Sequence, residues 1–179
     1  MERENFRSQT PDNPGAANSK QDNINMLLNA LSSKDWVKRV NGRKALIKLG
    51  PAAVNPVIGV INSKNQTVRW EAVKVLQQIG DPSSVDALVN ALRDNMFDVR
   101  WIAAEALINI GDASIKPLLR ATINFPDSDE IREGAHHVFH DMHSPKYADI
   151  LKPVIAILED PTLTLDIPLA AKKALDAIK

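Results

Sequence analysis

The stretch VRWEAVKVLQQIGD, from Val68 to Asp81, returns as VRWIAAEALINIGD from Val99 to Asp112, 31 residues later with Val, Arg, Trp, Ala, Leu, Ile, Gly and Asp in register. A unit of this length is one supersecondary element that cannot bury its apolar face alone, so it stacks on copies of itself. Sliding the stretch upstream by 30 residues puts Arg39, Leu46, Leu49 and Gly50 under Arg69, Leu76, Ile79 and Gly80. Downstream, Arg132, Ala135, Phe139 and Met142 fall under Arg100, Ala103, Leu107 and Ile110, with His143 where Gly111 stood. A fifth copy, from Ile167 to Lys179, aligns Ala171, Ala174, Leu175 and Ile178 with Ala103, Ala106, Leu107 and Ile110.

Within each copy the apolar positions, for instance Val99, Ala103, Ala106, Leu107 and Ile110, follow the i, i+4, i+7, i+8, i+11 pattern of an amphipathic helix, here called helix A. Leu76 and Leu107 hold the same core position in it. Gly50, Gly80 and Gly111 supply the left-handed residue that ends it, and Asp81 or Asp112 with Ser83 or Ser114 cap the next helix. That next helix is called B. VNPVIGVIN from Val54, VDALVNAL from Val85, IKPLLRAT from Ile115 and LKPVIAIL from Leu151 share one apolar stripe, and INMLLNAL from Ile24 is the same helix with no A before it. Pro56, Pro117 and Pro153 fall in its first turn, where a missing N–H costs little. Counted as B then A, the sequence predicts five antiparallel hairpins and ten helices, an all-α solenoid over residues 21–179 with a period of 30–32 residues.

This pairing, with its V-R-W, A-L and I-G-D landmarks, resembles the short HEAT-like repeats of the phycobilisome-lyase type over about residues 22–179. The resemblance implies an α-solenoid with helix B on the concave surface, and a scaffold that binds a protein partner there rather than an enzyme. It implies as an alternative a bilin lyase subunit or related chromophore-handling factor, as some proteins of this repeat type are. One HEAT-like hydroxylase holds iron through adjacent His-Glu pairs. This sequence has no His-Glu dipeptide, which argues against that activity.

Composition narrows the classes further. Lys plus Arg and Asp plus Glu each total 22, so no net field steers the chain toward nucleic acid or an anionic membrane surface. Zero cysteines exclude a disulfide framework and a cysteine nucleophile, and fit a cytoplasmic protein. Residues 1–20, MERENFRSQTPDNPGAANSK, lack the apolar run of a signal peptide and read as a disordered tail. No Gly-rich phosphate cradle or G-x-S-x-G elbow is present, and no catalytic constellation is found.

The solvent positions of helix B include Asn29, Asn55, Asp86, Asn90, Lys116, Arg120 and Lys152, a face that runs from amide-rich to basic. Such a face suits an acidic or phosphorylated partner segment near Arg120, or is simply solvated. Arg39, Arg69, Arg100 and Arg132 recur at one repeat position and are expected to order the stack by pairing with Asp or backbone carbonyls. Trp70 and Trp101, also one repeat apart, are expected to pack across repeat junctions. The last helix has no helix after it, so Leu175 and Ile178 mark a cap, a self-association site or the cut end of a longer array.

All four histidines lie between His136 and His143. His136, His140 and His143 share one helix face with Glu133, a spacing that fits Zn²⁺ or another divalent metal. Closed metal shells normally draw on two elements with second-shell support, so a junction surface or a pH-sensitive patch is the other reading of the same residues. The aligned residues of the third copy are Trp101, Ala104, Ile108 and Gly111. The fourth copy is therefore where framework and function part company.

Overall fold

A computed structural model describes residues 14–160 and 162–178, with side chains from residue 19 onward. The described residues form α1 (Pro14–Ala30), α2 (Trp36–Leu49), α3 (Pro51–Ile58), α4 (Gln66–Ile79), α5 (Val85–Ala91), α6 (Phe97–Ile110), α7 (Ile115–Asn124), α8 (Asp129–Asp141), α9 (Ala148–Glu159) and α10 (Ile167–Ala177). Odd and even helices are the expected B and A helices. Of the tail expected over residues 1–20, residues 1–13 lie outside the described residues. Residues 14–20 instead open α1, with Pro14 at a first-turn position where its missing N–H is harmless.

Polar residues start most of the even helices. The side chains of Asp35, Asn65 and Ser128 accept the N–H groups of Val37, Thr67 and Ile131. Ahead of α6, Asp94 Oδ1 accepts the Met96 N–H at 2.9 Å. Leu46, Leu76, Leu107 and Phe139 occupy one repeat position and are at most 2% exposed, forming the spine of the core. Deleting such a side chain would leave a cavity with a cost of about 2 to 5 kcal/mol. Pro56 and Pro153 lie inside α3 and α9 rather than in the first turn, because those helices begin earlier than the apolar stripe suggests.

The turns between repeats rest on positive φ. Gly50, Gly80 and Gly111 have φ of 59°, 67° and 78°. Only Gly80 is left-handed helical; Gly50 and Gly111 combine positive φ with ψ of −135° and −139°, a region open essentially to glycine alone. Asp81 accepts the Ser83 N–H as expected, whereas Asp112 accepts from Ser144 Oγ at 2.6 Å and Ser114 Oγ donates to the Leu107 carbonyl.

The arginine position closes each hairpin. Arg39, Arg69 and Arg100 each donate to the carbonyl six residues earlier, those of Ser33, Ser63 and Asp94, at 2.7, 3.0 and 2.9 Å. Arg69 also pairs with Asp94 of the next repeat at 2.6 Å, and Arg39 and Arg43 both reach the buried Glu71 carboxylate on α4. Arg132 departs from this pattern. Among the described residues it meets only Asp129, three residues before it, and its buried Nε has no hydrogen-bond partner.

Through α8 the even helices stack on one another as one layer, α2 on α4, α4 on α6 and α6 on α8, while α1, α3, α5 and α7 form the other. The last hairpin breaks the rule. α9 packs against α8, and α10 packs against α7 and α9, so α7 to α10 close as a four-helix unit. This corrects the expectation that α9 continues the B layer and α10 the A layer. The break coincides with His143, which stands where earlier copies have glycine. Positive φ costs a side-chain-bearing residue, and none of the described non-glycine residues adopts it. The chain instead leaves α8 extended at Met142 and takes a longer path to Ala148, setting α9 beside α8.

Candidate functional site

The outer side of the A layer presents one position per copy in α4, α6 and α8, Trp70, Trp101 and Glu133, and a second one turn later, Lys74, Glu105 and His137. Trp70 is half-buried, with the Lys74 ammonium 4.1 Å and the Arg43 guanidinium 5.8 Å from its ring centre. Its two neighbours thus use it as a cation–π platform. Trp101 is 47% exposed, and beside it Phe97 is 63% exposed, their ring centres 6.0 Å apart. The His137 ring meets Trp101 edge-on at 4.5 Å, so Trp101 does bridge the α6–α8 junction while leaving much of itself in water.

Between α6 and α8 this ridge encloses a cavity of ≈ 290 Å³ lined by Leu92, Phe97, Trp101, Ala104, Glu133 and Gly134. Where copies two and three place Glu71 and Ile102, the fourth has Gly134, whose absent Cβ would meet the Leu92 side chain at 3.1 Å. Glu130 at the rim accepts from Ser128 Oγ at 2.8 Å, and hydrogen bonding from its own backbone N–H and then from Ser128 holds its carboxyl below the ordinary range. No sequence motif points to the glycine or to Glu130; the loss of a large side chain at the aligned position was the available signal.

The histidines diverge along α8. His136 Nε2 reaches Glu159 on α9 at 3.2 Å, and His137 Nε2 reaches Glu105 on α6 at 3.0 Å. His140 Nδ1 sits 2.7 Å from Asp141, which raises the imidazole pKa and lowers that of the carboxyl. His143 Nδ1 faces the Asp141 carbonyl at 3.0 Å. His136 and His140 do approach, with ring centres 5.6 Å apart, but Glu133 turns to the α6 cavity instead. Among the described residues no three His, Asp or Glu side chains gather closely enough to hold an ion.

A wider cleft of ≈ 590 Å³ lies between the end of α8 and α9, lined by Phe139, Met142, Leu151 and Ile155 with His140 and Lys152. Lys152 therefore stands beside α8 and does not extend the row of Lys116 and Arg120, as a B-layer α9 would have required. On the B layer Asn29, Asn55, Asp86, Asn90 and Arg120 are exposed and Lys116 half-buried, a polar face with no large aromatic. Among the described residues no helix is long and apolar enough to cross a membrane.

No curated protein matches the chain in sequence. Among solved structures, a chain from the complex of CpcE and CpcF of phycocyanin lyase from Nostoc sp. PCC7120 shares the fold, with a TM-score of 0.53 and 23% identity over 84% of this chain and 98% of that one. The profile of HEAT repeats matches residues 24–107 and 85–164, most of the array just described, and the chain belongs to the HEAT-repeat family.

Proposed function

We propose that the protein is a non-catalytic docking solenoid whose protein partner seats on the outer ridge of α6 and α8. The observation that carries this reading is the pair of exposed aromatics, Phe97 and Trp101, set at the mouth of a cavity. Large aromatics in a pocket are the residues that anchor protein interfaces, whereas the Asn and Asp side chains that make up most of the exposed B-layer face are seldom such anchors, and Arg120 there stands in the open without a pocket. The test is affinity capture from native lysate with mass spectrometry. The variant Phe97→Ala/Trp101→Ala is expected to lose a partner that Lys116→Glu/Arg120→Glu retains. Loss on the second pair alone would move docking to the B layer, and retention by both would rule out both faces.

The fold match supports a second reading. The phycocyanin lyase neighbour is a complex of two different chains, and on this reading the chain would be one subunit of a comparable two-chain lyase. Incubation with phycocyanobilin and an apo-phycobiliprotein, alone and with a co-purifying chain, is expected to give transfer and an absorbance shift only under this reading.

A further inference from the structure

Trp70 and Trp101 are the same residue at the same repeat position, and the chain covers only one of them. Trp70 has the cations Lys74 and Arg43 over its ring, the first from its own repeat and the second from the repeat before. The residues one repeat further on, around Trp101, are Glu105 and Val73, and among the described residues no Lys or Arg covers Trp101. The substitutions uncover the ring and reverse the charge beside it.

The neighbourhood is acidic as well as aromatic. Glu130 and Glu133 line the same cavity with Arg100, His136 and His137; Arg100 is engaged with the Asp94 carbonyl and lies 5.7 Å from the Phe97 ring centre, and Arg93, which also acts on Glu130, lies over the Phe125 ring. Glu133 makes no hydrogen bond or ion pair among the described residues, so its carboxylate is available at the cavity wall. The whole-chain neutrality conceals this. Residues 20–80 hold ten Lys and Arg against three Asp and Glu, while residues 81–179 hold ten against sixteen.

We infer that Trp101 and Glu133 form a receptor for a Lys or Arg side chain carried by a basic segment of the partner protein. The cation lies over the exposed Trp101 face, as Lys74 lies over Trp70, with its N–H groups directed to Glu133 and Glu130. Cation–π attraction and a charge-assisted hydrogen bond then act on one group, and burial between α6 and α8 strengthens both. The inference rests on the docking reading above and names the chemistry of the docked segment.

The experiment uses two labelled octapeptides, one alternating Arg and Ala, the other Glu and Ala, and reads fluorescence anisotropy against the full chain. The arginine peptide is expected to bind and the glutamate peptide not. Glu133→Gln, an isosteric surface change that should not disturb folding, is expected to weaken binding about tenfold through loss of the charged acceptor. Trp101→Ala should weaken it by a similar factor, and Lys172→Gln on α10 should leave it unchanged. Preference for the glutamate peptide, or arginine-peptide binding indifferent to both Glu133→Gln and Trp101→Ala, overturns the inference. The docking reading fails separately. If lysate capture depends on Phe97 and Trp101 but not on Glu133, the ridge docks a partner without a cationic anchor.

Discussion

The turn after α6 and the turn after α8 follow nearly the same helix and lead to different places. At Gly111, φ of 78° and ψ of −139° fold the chain straight back, and α7 drops into the B layer beside α5. At His143 that conformation is closed to the chain, and α9 comes to rest on α8 instead. The two turns thus differ at one aligned backbone position, and the array propagates at the glycine and closes at the histidine. Closure leaves apolar residues in water at the far end, Leu165 at 91% and Leu169 at 55% exposed.

Core deletion is the largest way to separate the two regions. Leu107→Ala empties a fully buried site in the propagating array and is expected to cost about 2 to 5 kcal/mol in a chemical melt. Leu165→Ala, in the turn of the closing hairpin, should stay within about 0.5 kcal/mol. Equal losses would mean the repeat frame is misplaced. The arginine position gives the next contrast. Arg69→Ala breaks a largely buried pair with Asp94 and is expected to cost about 3 kcal/mol. Arg132→Ala removes only an i, i+3 pair to an exposed Asp129 and should cost under about 1 kcal/mol. A costly Arg132→Ala would show that its unpaired Nε finds a partner in solution.

The turns themselves come third. Gly111→Ala forces a Cβ into a backbone region hostile to it and is expected to destabilise by about 1 to 3 kcal/mol, read by the shift in urea midpoint. His143→Gly removes no required conformation and should change the midpoint by less than about 0.5 kcal/mol equivalent. If instead His143→Gly stabilised the chain strongly, the closing hairpin would be a strained arrangement waiting for its glycine.

These contrasts also locate what was legible beforehand. The ten helices, their order and the core position shared by Leu46, Leu76, Leu107 and Phe139 follow from periodicity, because every copy repeats the same local chemistry. The layer exchange of α9 and α10 does not. LKPVIAIL looks like any other B helix, since an apolar stripe records that a face is buried and not which neighbour buries it. The one visible sign was His143 under Gly111. The fourth copy was marked by its histidines, yet His137 and His136 part toward Glu105 and Glu159, carboxylates whose nearness only the packing reveals, while His140 turns to its sequence neighbour Asp141. The cavity beside Gly134 carries no motif, and only the change from Glu71 and Ile102 to a glycine at the aligned position marked the place.

The smallest expected effect is electrostatic and belongs to the closing side alone, where His140 takes the place that Ile108 holds in the third copy. The hydrogen bond to Asp141, with that carboxylate's charge and then that of Glu159 on α9, lifts the His140 imidazole above its ordinary 6.5. The folded chain thus binds this proton more tightly than the unfolded one, so the contribution is complete below pH 6.5 and is lost as pH rises through the raised folded value. Asp141, held below its ordinary 3.8 chiefly by the same hydrogen bond, contributes above 3.8 and loses its part as pH falls through the lowered value. Both groups are exposed and solvent-screened, so the signal belongs in a site-resolved measurement rather than a melt. Histidine NMR titration is expected to place the His140 midpoint above about 6.5 and to return it there in Asp141→Asn. An unshifted midpoint in the wild-type chain would mean that Asp141 turns elsewhere in solution. His137 and His136, which reach Glu105 on α6 and Glu159 on α9, would then be the histidine contacts that α8 keeps.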